Sequence, residues 1–158
     1  MTYLKEGDNA PDFSGIDQDG NSFSLKNLKA KKVVLYFYPA DMTETCTVQA
    51  CSLRDKNADL KEAGFEIIGV SPDTSKKHKR FKEKYCLPFR LLEDPEHKII
   101  DKYGVWGEKN VYGRRYLGLL RTTFVIDTKG IIRLIFSKPK SKIHAEEILE
   151  AWKNQEQF

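Results

Sequence analysis

The sequence predicts an α/β domain with a central mixed sheet flanked by helices and a β-hairpin at the N-terminus. Three observations carry that expectation. KVVLYFYP at residues 32–39 and FEIIGVS at Phe65–Ser71 are continuous β-branched and aromatic runs, the pattern of strands covered on both faces. A segment of helical spacing lies between them and a charged one follows, which makes a βαβ unit. TTFVIDTKGIIRLIF then reads as two strands around a four-residue turn, followed by the helical SKIHAEEILEAWKNQ.

The elements follow in order. Residues 13–25 read as two short extended pieces around DQDGN, a turn rich in residues that tolerate left-handed backbone. The strand at 32–39 is stopped by Pro39, which has no N–H to continue a ladder. Residues 43–63 have helical spacing, with Ala50, Leu53, Asn57 and Leu60 along one side and Gly64 closing the helix. After FEIIGVS, PDTS leads into a charged helix that ends near Tyr85 and turns Phe81 and Tyr85 inward. A short strand at 89–92 precedes DPEHKIIDKYG, a brief helix with Asp94 and Pro95 at its start and Gly104 at its end. Residues 104–120 show no clear period. The last helix places Ala145, Ile148, Leu149 and Trp152 on one face. No repeat or low-complexity linker interrupts the 158 residues, so residues 1–158 are expected to form one domain.

Composition removes several functional classes. With 40% hydrophobic and 32% charged residues the chain suits a soluble globular protein, and no apolar run approaches the roughly 20 residues of a membrane span. The opening MTYLKEGDNAPDF lacks a basic start followed by an apolar stretch, so a cytoplasmic location is expected by default. The net charge of +4 has clusters in KKHKR at 76–80 and KPKSK at 138–142. Neither is interleaved with aromatic residues, so both read as solvated faces rather than a nucleic-acid surface. Three cysteines are too few and odd in number for a disulfide scaffold, which leaves reactive thiols as the question.

Cys46 falls in the first turn of the helix after the buried strand, where unpaired backbone N–H groups and the helix dipole favour an anion such as a thiolate. An ordinary cysteine is a few per cent ionised at neutral pH, so ionisation alone raises its reactivity at most about 30-fold, and anything faster needs an oriented electrophile. The alternative is a small buried packing residue, against which stand the strand-terminal position and Thr43, Thr45 and Thr47 nearby. Cys51 is five residues on. In a regular helix that spacing separates the Cα atoms by about 8.7 Å and the side chains by about 140°. A disulfide spans less than about 7 Å, so a bond between these two requires the first helical turns to unwind. The pair therefore suits a switch between a wound reduced state and an unwound oxidised one; Cys51 as a packing residue beside Val48 is the alternative.

YFYPADMTETCTVQACSLRD resembles the active-site segment of peroxiredoxins, in the peroxiredoxin Q or bacterioferritin-comigratory-protein group, whose members share P-x-x-x-T-x-x-C and often a second cysteine five positions on. Pro39, Thr43, Cys46 and Cys51 fit in order, and the resemblance continues through LPFRLLEDP, YGVWGEK and YLGLLRTTFVID to the final helix. It implies a thioredoxin-like fold and a monomeric peroxidase of hydrogen peroxide and organic hydroperoxides; no metal, haem or flavin site is evident in the sequence, so the sulfur chemistry is expected to suffice without a cofactor. By the same resemblance Cys46 is the peroxidatic nucleophile, which becomes a sulfenic acid that Cys51 resolves as an intramolecular disulfide, with thioredoxin or a similar dithiol as reductant. Arg121, just before TTFVID, matches the family arginine that stabilises the thiolate and the charge developing on the peroxide. Thr43 would offer its hydroxyl to the peroxide, cap the helix, or both, and Pro39 would shape and shield the pocket.

The remaining candidates are weaker. Cys86 in KYCLPF reads as a packing residue beside a Leu-Pro step. Trp106 and Tyr112 read equally as lining the substrate approach or as packing. His78, His97 and His144 lie in charged helical contexts and read as solvated, which argues against a Cys-His hydrolase. C-x-x-C is absent, and the cysteine spacings lack a zinc pattern. The competing function is a non-enzymatic redox sensor on the same fold.

Overall fold

A computed structural model describes residues 1–28 and 30–156. In chain order the elements are β1 (Ser14–Asp17), β2 (Ser22–Ser24), β3 (Lys32–Phe37), α1 (Glu44–Asp55), α2 (Asn57–Glu62), β4 (Phe65–Ser71), α3 (Ser75–Tyr85), β5 (Arg90–Glu93), α4 (Lys98–Lys102), β6 (Trp106–Val111), β7 (Arg114–Leu119), β8 (Thr122–Ile126), β9 (Ile132–Phe136) and α5 (His144–Glu156).

The alternation of β3 explains why its sequence is apolar throughout. Val33, Leu35 and Phe37 enter one core with Tyr103, Phe124, Ile99 and Ile100, while Val34, Tyr36 and Tyr38 enter another with Ala50, Leu53, Phe81 and Ile148. A strand buried on both faces has no polar side to show. Burying each such side chain stabilises the fold by about 1.5–3 kcal/mol. The seven-stranded sheet has the order β2-β1-β5-β4-β3-β8-β9. Its middle pairs β3·β4 and β4·β5 are parallel, while β8 and β9 add antiparallel beyond β3. The expected mixed sheet is therefore present, and β1 and β2 form the N-terminal hairpin by pairing Ser14 with Ser24. Helices α1, α2, α3 and α5 cover one face and α4 the other. No helix among the described residues is long and apolar enough to cross a membrane.

Three expectations about elements need correction. The helix expected over 43–63 is two helices, broken at Lys56, which has φ −110° and ψ 13°. Asp55 and Asn57, both weak helix formers, flank the break. The brief helix α4 starts later than Asp94 and Pro95, after His97 in a left-handed conformation at φ 58°. Asp94 still serves it at a distance, its carboxyl accepting from the N–H groups of Ile99 and Ile100 at 3.2 and 2.7 Å. Residues 104–120, without a clear period in the sequence, form a β-ribbon of β6 and β7 outside the main sheet. Its tip is Tyr112–Gly113 at φ 54° and 79°, the positive angles of a two-residue hairpin turn whose twist matches the strands. Tyr112 is fully exposed there, and the Trp106 ring sits 4.4 Å from that of His97, so neither belongs to the core.

Candidate active site at the start of the first long helix

The Tyr38 N–H still bonds the Val70 carbonyl at 3.1 Å, but Pro39 has no N–H to offer and the chain leaves the sheet. The loop that follows is bolted down through Asp41, which is 2% exposed. Its carboxyl accepts the Tyr38 hydroxyl at 2.6 Å and shares a hydrogen with His78 Nδ1 at 2.6 Å. His78 Nε2 donates to the Leu92 carbonyl at 3.0 Å, since a carbonyl only accepts. The Asp41 N–H donates to the Asp73 carboxylate at 2.6 Å. Thus the loop is tied to α3 and to both strands beside it. This corrects the reading of His78 as a solvated residue: it is fully buried, facing β5 and the loop from an otherwise charged helix. His144 is likewise buried, with the Thr123 hydroxyl 2.8 Å from Nε2 and Glu147 2.6 Å from Nδ1. His97 is half-buried under Trp106.

Met42, at φ 68°, turns the chain into α1. Thr43 occupies the N-cap position with extended backbone, yet its side chain makes no capping bond and instead donates to the Ala40 carbonyl at 3.0 Å. Cys46 is the third residue of α1, among the N–H groups that lack helical acceptors. It is only 1% exposed and packs with Tyr36, Ala50 and Leu53, so the polar setting expected for it holds on one side alone. That side is Arg121, whose Nη2 donates to the sulfur at 3.2 Å and whose Nη1 donates to Gln49 Oε1 at 2.7 Å. Gln49 stands three residues after Cys46, on the same helix face, and orients the guanidinium.

Tyr36 Oη, Thr47 Oγ1 and Gln49 Nε2 are buried nearby without a hydrogen-bond partner among the described residues. Burial first, then the negative charges of Asp41 and Cys46, pushes the Tyr36 phenol well above its ordinary range, so it remains a hydrogen donor. Gln49, Tyr36 and the Asp41–His78 pair were absent from the sequence reading. The spacing of Gln49 from Cys46 was a usable signal; the pairing of Asp41 with His78 depends on the fold.

The structure thus brings Cys46 together with Arg121 and leads into them through Pro39 and Thr43. Cys51 is not brought in: α1 is regular over both cysteines, which keeps them about 140° apart around its axis. Cys51 is half-buried and both thiols are free. Cys86 differs from its expected packing role. It is exposed at the C-cap of α3, in the left-handed conformation at φ 52° that ends the helix and carries its side chain outward.

Comparison with known proteins meets this geometry from outside. The model of the AhpC/TSA family matches residues 6–135. Peroxiredoxin Bcp of Escherichia coli K12 is 45% identical over 149 residues, covering 94% of this chain and 96% of that protein. Peroxiredoxin Bcp of Bacillus subtilis is 43% identical over 151 residues, 96% of each. Among solved structures, peroxidoxin BcpB of Mycobacterium tuberculosis superposes with a TM-score of 0.84 at 32% identity, over 96% of this chain and 98% of that one. The bacterioferritin comigratory protein of Xanthomonas campestris, described for its alkyl peroxide reduction activity, gives 0.83 at 30% identity over 90% and 91%. With a thioredoxin-like fold and relatives of this kind along nearly its whole length, the chain belongs to the AhpC/TSA family, in the Bcp/peroxiredoxin Q group.

Proposed function

We propose that this peroxiredoxin, a thiol-dependent peroxidase, works through Cys46 as its peroxidatic thiol and Cys51 as the thiol that resolves it. The observation that carries the reading is the Arg121 guanidinium 3.2 Å from the Cys46 sulfur on the first turn of α1. The Cys46 thiolate attacks one peroxide oxygen, the O–O bond breaks, and the other oxygen leaves as water or an alcohol after taking up a proton. Cys46 is then a sulfenic acid. Arg121 has donors for both the attacking sulfur and the charge growing on the leaving oxygen, with Gln49 fixing its plane. Thr43 turns its hydroxyl from the Ala40 carbonyl to the peroxide, and Pro39 walls the pocket.

The Cys51 thiol next attacks the Cys46 sulfur, expelling water and forming a disulfide. That bond demands the unwinding of α1 already argued from its helical spacing. A thioredoxin-type dithiol reduces the disulfide by exchange and returns both thiols. Hydrogen peroxide and organic hydroperoxides are the substrates in this reading, and the working form is a cytoplasmic monomer. A non-enzymatic sensor is not favoured, because relatives matched over nearly the full chain are peroxiredoxins.

The test is peptide mapping by mass after rapid mixing of the reduced protein with one equivalent of hydrogen peroxide. Loss of two hydrogens mapped to Cys46 and Cys51 is expected, absent in Cys46→Ser and replaced by a sulfenic acid at Cys46 in Cys51→Ser. A bond from Cys46 to Cys86 in Cys51→Ser that forms as fast as the disulfide of the unaltered protein would overturn the assignment of the resolving thiol.

A further inference from the structure

Arg121 has a second outlook. Besides facing Cys46, it lines a cleft of about 340 Å³ together with Lys109, Lys138, Leu120 and Pro139. Lys138 is the first residue of the KPKSK cluster, which the peroxidase reaction leaves without a role. Lys109 comes from the β6–β7 ribbon and is laid toward the cleft by its neighbours. Its Cδ passes 3.1 Å from where a Cβ on Gly118 would stand, and its ammonium is 5.9 Å from the Tyr116 ring centre.

Three cations therefore border one cleft, and among the described residues no carboxylate lines it. Of the acids on the adjoining elements, Glu108 pairs with Arg115 at 3.5 Å, and Glu147 bonds His144 at 2.6 Å and the Lys140 N–H at 2.8 Å. Burial first, then the Arg121 charge, pushes the Lys109 ammonium below its ordinary range, with Cys46 opposing. Like charges gathered around a cleft beside the reacting sulfur are relieved by an anion.

We propose that this cleft is an anion subsite for the far end of the substrate: an organic hydroperoxide carrying a carboxylate sets that group against Lys109 and Lys138, lays its alkyl part on Leu120 and Pro139, and presents its peroxide to Cys46 beside Arg121. The proposal rests on the reading of Cys46 as the peroxidatic thiol. Lys109 and Lys138 then set specificity and take no part in bond breaking.

The experiment compares kcat/KM for a carboxylate-bearing alkyl hydroperoxide with that for its methyl ester, in the unaltered protein, Lys109→Gln, Lys138→Gln, the double glutamine variant and the double arginine variant. The acid is preferred over the ester by about fivefold at low salt, as expected for two partly exposed charge pairs. The ratio falls stepwise toward one in the glutamine variants, is kept with arginine and shrinks with added salt. Because it is taken within each variant, a general change in folding or rate cancels. An unaltered protein that prefers the ester, or a double glutamine variant that still prefers the acid by the same factor, overturns the subsite. Failure of the Cys46 reading looks different: the ester itself is then reduced equally well by Cys46→Ser.

Discussion

Between residues 38 and 43 the chain is fixed by the side chains of His78 from α3, itself held by the Leu92 carbonyl of β5, and of Asp73 just after β4, whereas from Glu44 to Asp55 it is held largely by its own backbone bonds and one apolar face. The loop has the buried Asp41–His78 contact, with Tyr38 and Asp73 completing it. Helix α1 has no side-chain cap at Thr43, two buried polar atoms, in Thr47 and Gln49, without partners among the described residues, and a break at Lys56. Cys46 sits at the junction of these regimes. Unwinding the first turns of α1 gives up a few backbone bonds that water replaces, while moving the loop would leave a buried carboxyl or imidazole unpaired at about 3–5 kcal/mol. In the proposed cycle, a redox change at Cys46 would therefore spread forward into α1 and stop behind it.

That contrast can be broken from either side. The largest effect falls on the reacting group: Cys46→Ser should lower peroxidase turnover by about a thousandfold or more in a coupled thioredoxin assay, with urea unfolding little changed. Next comes the loop anchor. His78→Leu leaves the Asp41 carboxyl buried without that partner and should cost about 3–4 kcal/mol in urea unfolding, and an unchanged midpoint would show that the loop is not anchored there. Arg121→Met should reduce kcat/KM for hydrogen peroxide by about 10²–10³-fold while the Cys46–Cys51 disulfide still forms slowly.

A smaller effect belongs to His144 and is read by pH. Neutral His144 fills both its bonds, donating from Nδ1 to Glu147 and accepting from Thr123 at Nε2. Burial, only partly opposed by Glu147, pushes its pKa down. The unfolded ring then takes up its proton at higher pH than the folded one, so the His144 contribution is complete above about pH 6.5 and is lost as pH falls below it, by at most about 1.4 kcal/mol per pH unit. His144→Gln should flatten that acid limb in urea midpoints measured between about pH 7.5 and 5.5. The smallest effect belongs to exposed Cys86: Cys86→Ser should change stability by less than about 0.5 kcal/mol.

Much of the frame was legible in the sequence, for reasons visible in particular residues. Residues 32–37 and 65–71 read as strands because burial on both faces forbids polar residues. The β6–β7 ribbon escaped because its exposed faces carry WGEKNV and RRYLGL, with charges where an alternating pattern would show. At the site, Cys46 stood out from its place after a buried strand, but Arg121 is 75 residues away and entered through the family resemblance alone. His78 looked solvated because KKHKR surrounds it, while the partner that explains its burial lies 37 residues earlier. Local spacing carries information about helices and strands; which polar groups meet across 30 to 80 residues is decided by the fold.

The most direct test of the account is hydrogen exchange read peptide by peptide on the reduced protein and on its Cys46–Cys51 disulfide form. Unwinding predicts that amides of α1 up to about Leu53 lose protection on oxidation while those of residues 38–41 and of α3 keep theirs. Equal protection of α1 in both forms would contradict the unwinding, and loss of protection in the loop and α3 as well would contradict the anchor.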